Sequence, residues 1–108
     1  MYIDILYTRN HQDMEDIPSY ILSDTQYIYN FINEMNLQSV MNDNQKSLME
    51  EGRQDIGVVP VPDYVNELTD EEIDGLSMSI DIPFTSADEI KAFITFIRDN
   101  NIPALLFG

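Results

Sequence analysis

The stretch Leu76–Phe84 constrains the fold most. Leu76, Met78, Ile80, Ile82 and Phe84 fall on every second position, with Ser77, Ser79, Asp81 and Pro83 between them. Successive side chains of an extended chain point to opposite faces, so this alternation predicts a strand with one apolar and one wet face. Such a strand belongs in a sheet that is packed on one side only. Carboxylates crowd both flanks: Asp63, Glu67, Asp70, Glu71, Glu72 and Asp74 before it, Asp88 and Glu89 after it.

The other segments supply what such a strand must pack against. Tyr2–Tyr7 reads as a first strand, apolar enough on both faces to lie centrally. Thr8–Leu22 is polar and irregular and reads as a loop, with Tyr20 and Ile21 as anchors. Ser23-Asp24-Thr25-Gln26 matches a capping box. The helix it opens carries Tyr27, Ile28, Phe31, Ile32 and Met35 as one stripe. Leu37, Val40, Met41, Leu48 and Met49 suggest a second helix ending near Gly52, interrupted by the polar run Asn42–Lys46.

Asp55–Val61 reads as a strand that, because Pro60 lacks an N–H, sits at a sheet edge or ends there. Thr69-Asp70-Glu71-Glu72 is a second capping-box match, here opening a short helical turn closed by Gly75. Ser86-Ala87-Asp88-Glu89 is a third, with Asp88 and Glu89 placed where the helix dipole favours negative charge. Ile90, Phe93, Ile94 and Ile97 then mark a helix that stops at Asn100-Asn101, where Pro103 prevents its return. Ala104–Phe107 reads as a buried last strand.

This order predicts one α+β domain over residues 1–108, mostly antiparallel sheet with helices on one face, of the ferredoxin-like βαββαβ kind. A chain of 108 residues with 44% apolar content is enough for one modest core. There is no Cys, hence no disulfide or thiolate site. No stretch approaches the roughly 20 apolar residues of a membrane span, and the N-terminus lacks a signal-peptide pattern. The expected setting is the cytoplasm.

Charge narrows the function classes. Twenty acidic residues face five basic ones, a net charge of −15, where a magnitude of about 2–8 suffices for solubility. Two like charges about 10 Å apart in water repel by roughly 0.4 kcal/mol before screening, so the excess opposes compaction. It also argues against direct binding to nucleic acid or anionic membrane, both of which need basic patches.

Catalytic patterns are weak. His11 is the only histidine and lies among Gln12, Asp13, Glu15 and Asp16, a solvated loop before it is a metal cluster. No nucleophile elbow accompanies it. Gly52, Gly57, Gly75 and Gly108 stand alone, so no phosphate loop exists. Asp70, Glu72 and Asp74 followed by Gly75 and Asp81 superficially match a calcium loop. Position eight is Ser77, however, and position twelve is the short Asp81. Glu50-Glu51 and Glu71-Glu72 read as solvated helix faces instead of acid–base pairs. The expectation is a non-enzyme with no metal or cofactor.

In its small size, lack of Cys, acidity and richness in Asp, Glu, Asn and Tyr, the chain resembles phage- and plasmid-encoded anti-defence proteins. These include DNA-mimic antirestriction factors, uracil-DNA glycosylase inhibitors and several anti-CRISPRs. The likeness is compositional and carries over no residue. It implies an acidic inhibitor, a DNA or RNA mimic that covers the basic nucleic-acid-binding surface of a host nuclease. Expected contacts are Asp63, Tyr64, Glu67, Asp70, Glu71, Glu72, Asp74, Asp81, Asp88 and Glu89, with Tyr64 as aromatic anchor and Asp81 on the wet strand face. The alternative is an acidic interaction module (an immunity protein, antitoxin or regulator) binding through an apolar sheet face.

Overall fold

The computed structural model describes residues 2–6, 20–21, 25–53, 55–82 and 85–108. His11, Asp13, Glu15 and Asp16 and the first capping box therefore lie outside the described residues. Strands β1 (Tyr2–Leu6) and β2 (Tyr20–Ile21) precede helix α1 (Thr25–Glu34). A 3₁₀ turn (Leu37–Val40), α2 (Asp43–Glu50) and β3 (Gly57–Pro60) follow. A second 3₁₀ turn (Asp63–Glu67) leads to α3 (Asp70–Ser79), α4 (Ala87–Asp99) and β4 (Ala104–Phe107).

The ferredoxin-like, sheet-dominated expectation is overturned. The longest strand has five residues, whereas α1 and α3 have ten each and α4 has thirteen. The strand order is β2-β1-β4-β3 and every pairing is antiparallel. A βαββαβ chain needs a strand between β3 and the last helix, and that stretch is helix α3 instead. Tyr20–Ile21, expected in a loop, pairs with β1 through Tyr2↔Ile21 and Ile3↔Tyr20.

The decisive correction concerns Leu76–Phe84. Its first four residues complete α3, with Ile80 as the C-cap. The Thr69 box, expected to open a brief turn, starts the whole helix. Thr69 Oγ1 accepts from Glu72 N and Glu72 Oε1 accepts from Thr69 N, both at 3.1 Å. Asp70, Glu71 and Glu72 in the first turn suit the helix dipole. Ile73, Ser77 and Ile80 are buried and Leu76 is half-buried, a helical i, i+3, i+4, i+7 stripe on which the alternation was superimposed. Met78, assigned by alternation to the buried face, is 75% exposed. Gly75 weakens a helix interior by only about 1 kcal/mol relative to Ala, so it does not end one.

The polar run Asn42–Lys46 is likewise a helix start. Asn42 Oδ1 accepts from Gln45 N at 2.8 Å and Gln45 Oε1 accepts from Asn42 N at 3.1 Å. α2 ends in a Schellman motif: Gly52 N donates to Met49 O and Arg53 N to Leu48 O, with Gly52 at φ 78°. α4 ends the same way on Asn101, at φ 49°. Its N–H donates to Arg98 O, and Ile102 N donates to Ile97 O.

Register decides which sheet face is buried. Ile5, Leu105 and Val59 form one cross-strand row; Ile3 and Phe107 begin the next. All five are buried beneath Ile28, Phe31 and Ile32 of α1 and Ile90, Phe93, Ile94 and Ile97 of α4. Phe31 stacks on Phe93 with ring centroids 6.0 Å apart and lies 6.4 Å from Phe107. On the opposite face, Val58 is 51% exposed, Pro60 is exposed, and Ala104 and Leu106 are half-buried.

β3 both lies at the sheet edge and ends at Pro60, the two outcomes left open by the missing N–H. Val61 N donates to Pro103 O at 2.9 Å, so alternate residues Val58 and Pro60 turn their main chain away from β4. Pro60 has no N–H to offer, and the Val58 carbonyl accepts from the buried Gln45 Nε2 at 2.7 Å. The edge is thereby closed to a further strand.

Candidate functional site

The ten expected contact residues lie in the chain's second half, on the 3₁₀ turn at 63–67, on and just after α3, and in the first turn of α4. α4 packs against both α3 and that 3₁₀ turn. Helical geometry sorts the residues of α3 by direction. At about 100° per residue, with Ile73 facing the core, Asp70 and Asp74 lie on one flank. Glu71 and Met78 lie outward, and Glu72, Leu76 and Ser79 lie on the other flank.

The first flank faces α4 and is neutralised. Arg98 Nη1 lies 2.7 Å from Asp70 Oδ1, and Lys91 Nζ lies 3.5 Å from Asp74 Oδ1. The Arg98 side chain is only 17% exposed. It also donates from Nε to Asp99 at 2.9 Å and from Nη1 to the Leu68 carbonyl at 3.0 Å. Its hydrogen bond to Asp70, and then that to Asp99, raise the guanidinium pKa above its ordinary value. Contacts so placed, one cation near each helix end, fix α3 antiparallel to α4.

The outward face has no such compensation. Among the described residues, Asp63, Glu67, Glu71, Asp81, Asp88 and Glu89 are exposed and form no ion pair. Met78 is one helical turn from Asp74 and two from Glu71, so an exposed apolar side chain borders an acidic band. Asp81 belongs to this band as the residue after the α3 cap, not as part of a strand face. Asp70 and Asp74 share the flank facing α4, where Arg98 and Lys91 hold them, and Glu72 lies on the other flank bonded to Thr69 N, so the three do not converge on a cation. No group of three or more metal-ligating side chains is assembled among the described residues.

The second flank borders a groove of about 500 Å3. Tyr64 and Leu68 line it from one side, Gly75 and Leu76 from α3, and Glu34 and Asn36 from the end of α1. Glu72 and Ser79 complete its rim. Tyr64, expected as an aromatic anchor, is half-buried; its hydroxyl is buried without a hydrogen-bond partner among the described residues, and burial raises its pKa. Asn36 reaches the rim because it holds a left-handed conformation, φ 52°, at the end of α1. A smaller hollow of about 300 Å3 lies between Tyr29, Lys46 and Met49. There the Tyr29 hydroxyl is satisfied by the carbonyls of Met49 at 2.8 Å and Arg53 at 3.1 Å.

Two features escaped sequence spacing. Met78 was legible only through the helical period counted from the Thr69 box. Glu34 and Asn36 had no local signal, because they meet Tyr64 and Glu72 only through the packing of distant segments. No helix among the described residues is long and apolar enough to cross a membrane. No protein-family model, curated protein or solved structure matches the chain.

Proposed function

We propose that this chain is an acidic protein inhibitor of the anti-CRISPR or antirestriction type. It occupies the basic nucleic-acid-binding surface of a host nuclease in the bacterial cytoplasm, as a mimic of DNA or RNA, and performs no catalysis. One observation carries the reading. The outward carboxylates Asp63, Glu67, Glu71, Asp81, Asp88 and Glu89 form no ion pair among the described residues, in a chain of net charge −15. Uncompensated charge held on a packed surface steers a basic partner, and its binding releases the salt counterions held there. It also competes with phosphates for the same lysines and arginines. Met78 bordering the band adds an apolar contact of the kind enriched in protein interfaces, which a polyphosphate does not offer.

The test is capture from a bacterial lysate on the immobilised protein, followed by elution with duplex DNA, heparin or a salt series. Expected is a nucleic-acid-binding protein released by DNA and by salt. Glu71→Lys/Asp81→Lys abolishes capture, whereas Glu50→Lys/Glu51→Lys on α2, an equal change in net charge, does not. Equal losses in the two variants mean diffuse attraction and defeat the proposal.

A second reading has its own observation. Val58 is 51% exposed beside Pro60, Ala104 and Leu106 on the outer sheet face. A captured partner indifferent to DNA and salt but lost in Val58→Asp assigns the chain to the class of acidic interaction modules that bind through a sheet.

A further inference from the structure

We infer that the groove between the end of α1, the 3₁₀ turn at 63–67 and α3 receives an arginine side chain of the protein partner. The identity of that partner as a basic nucleic-acid-binding protein rests on the function proposed above; the chemistry of the groove stands on the lining residues. Tyr64, Leu68 and Leu76 provide an apolar floor, and Glu34 and Glu72 place carboxylates at the rim. None of the lining residues is basic. Arg98 donates to the carbonyl of the lining residue Leu68 but is already held by Asp70 and Asp99.

An occupant must therefore combine an apolar stem with a cationic head. Arginine does so: its methylenes cover apolar surface while the planar guanidinium reaches carboxylates, and it is weakly hydrated enough to leave water at modest expense. Arginine is also enriched in interfaces, where lysine is depleted. Glu72 is suited to the role. One of its oxygens, Oε1, accepts from Thr69 N, which fixes the side chain and leaves Oε2 for a ligand. Gly75 keeps the α3 wall open, since a Cβ added there would meet nothing within 4 Å.

The probe is N-acetyl-arginine amide, titrated into the isotopically labelled chain at low ionic strength and followed by amide chemical shifts. The apolar control is N-acetyl-norleucine amide. Expected are saturable shifts centred on Asn36, Tyr64, Leu68 and Leu76 with the arginine compound only. Glu34→Gln/Glu72→Gln weakens saturation by about fivefold, the effect of two exposed ion pairs, while keeping the helix start, because Gln also completes a capping box. Gly75→Leu fills the groove from a helix-favouring position and abolishes the shifts.

Equal shifts with the norleucine compound overturn the inference, leaving an apolar hollow. Non-saturating shifts spread over Glu71, Asp81 and Asp88 overturn it too, leaving charge attraction alone. The two proposals fail separately. A flat titration with DNA-displaceable capture intact removes the groove only. Absence of any DNA-displaceable partner removes the mimic whatever the titration gives.

Discussion

α3 and α4 begin alike and end up with different duties. Each opens on a hydroxyl cap, Thr69 or Ser86, that accepts from the backbone three residues on. Each puts carboxylates in its first turn, and the two pack side by side. α4 drives Ile90, Phe93, Ile94 and Ile97 into the core between α1 and the sheet. α3 buries Ile73 and, a turn later, only Ser77, whose hydroxyl donates back to the Asp74 carbonyl at 2.8 Å. Full burial of one large aliphatic or aromatic side chain is worth about 1.5–3 kcal/mol. α4 is therefore held by its hydrophobic face, and α3 by its cap, its single isoleucine and two ion pairs to α4. A helix attached so lightly can give most of its circumference to charge, and α3 does.

The largest expected effect breaks the α4 side of this contrast. Phe93→Ala removes a ring that is fully buried and stacked on Phe31, and should destabilise the chain by about 3–5 kcal/mol in urea unfolding. That is a large part of the 5–15 kcal/mol typical of a whole domain. Thr69→Ala comes next. It removes the box that launches α3 and should cost about 1 kcal/mol in the same measurement. A loss near zero would mean that packing against α4 alone forms the helix.

Gly75→Ala has the opposite sign. The position is helical and open around the added Cβ, so thermal unfolding should show a gain of about 0.5–1 kcal/mol. A destabilised variant would contradict the open wall on which the arginine groove depends. Met78→Ala is the smallest change. An exposed side chain away from the core contributes within about 0.5 kcal/mol, so stability should not move, while partner capture should fall. An unchanged Met78→Ala capture would reduce the outer face to its charges.

The elements with wide apolar faces were legible in advance. β1, β4, α1 and α4 announced themselves because Ile, Phe and Leu recur at one period with no competing one. The missing N–H of Pro60 limited β3 to an edge position or an end at that residue, and both hold. α3 was misread because residues 76–82 satisfy two periods at once: alternation gives Leu76, Met78, Ile80 and Ile82, and helical spacing from Ile73 gives Leu76, Ser77 and Ile80. Alternation places Met78 inside and a serine outside; the folded chain does the reverse. The sheet-dominated fold followed from that one error, and so did placing Asp81 on a strand.

What the residues determined by themselves was local: the hydroxyl caps that open α3 and α4, that the chain lacks thiol chemistry, and that it carries a net charge of −15. Capping and turn geometry involve groups within a few residues of each other, so spacing encodes them directly. Only the tertiary structure decided which of the many carboxylates are spent. Asp70 meets Arg98 and Asp74 meets Lys91 because α3 and α4 lie antiparallel, and Glu71 and Asp81 are left outward by the same packing. The groove that joins Glu34 to Tyr64 and Glu72 is likewise a product of docking helices distant in the chain. Long-range pairing depends on how whole faces bury together, and no short window of sequence holds that information.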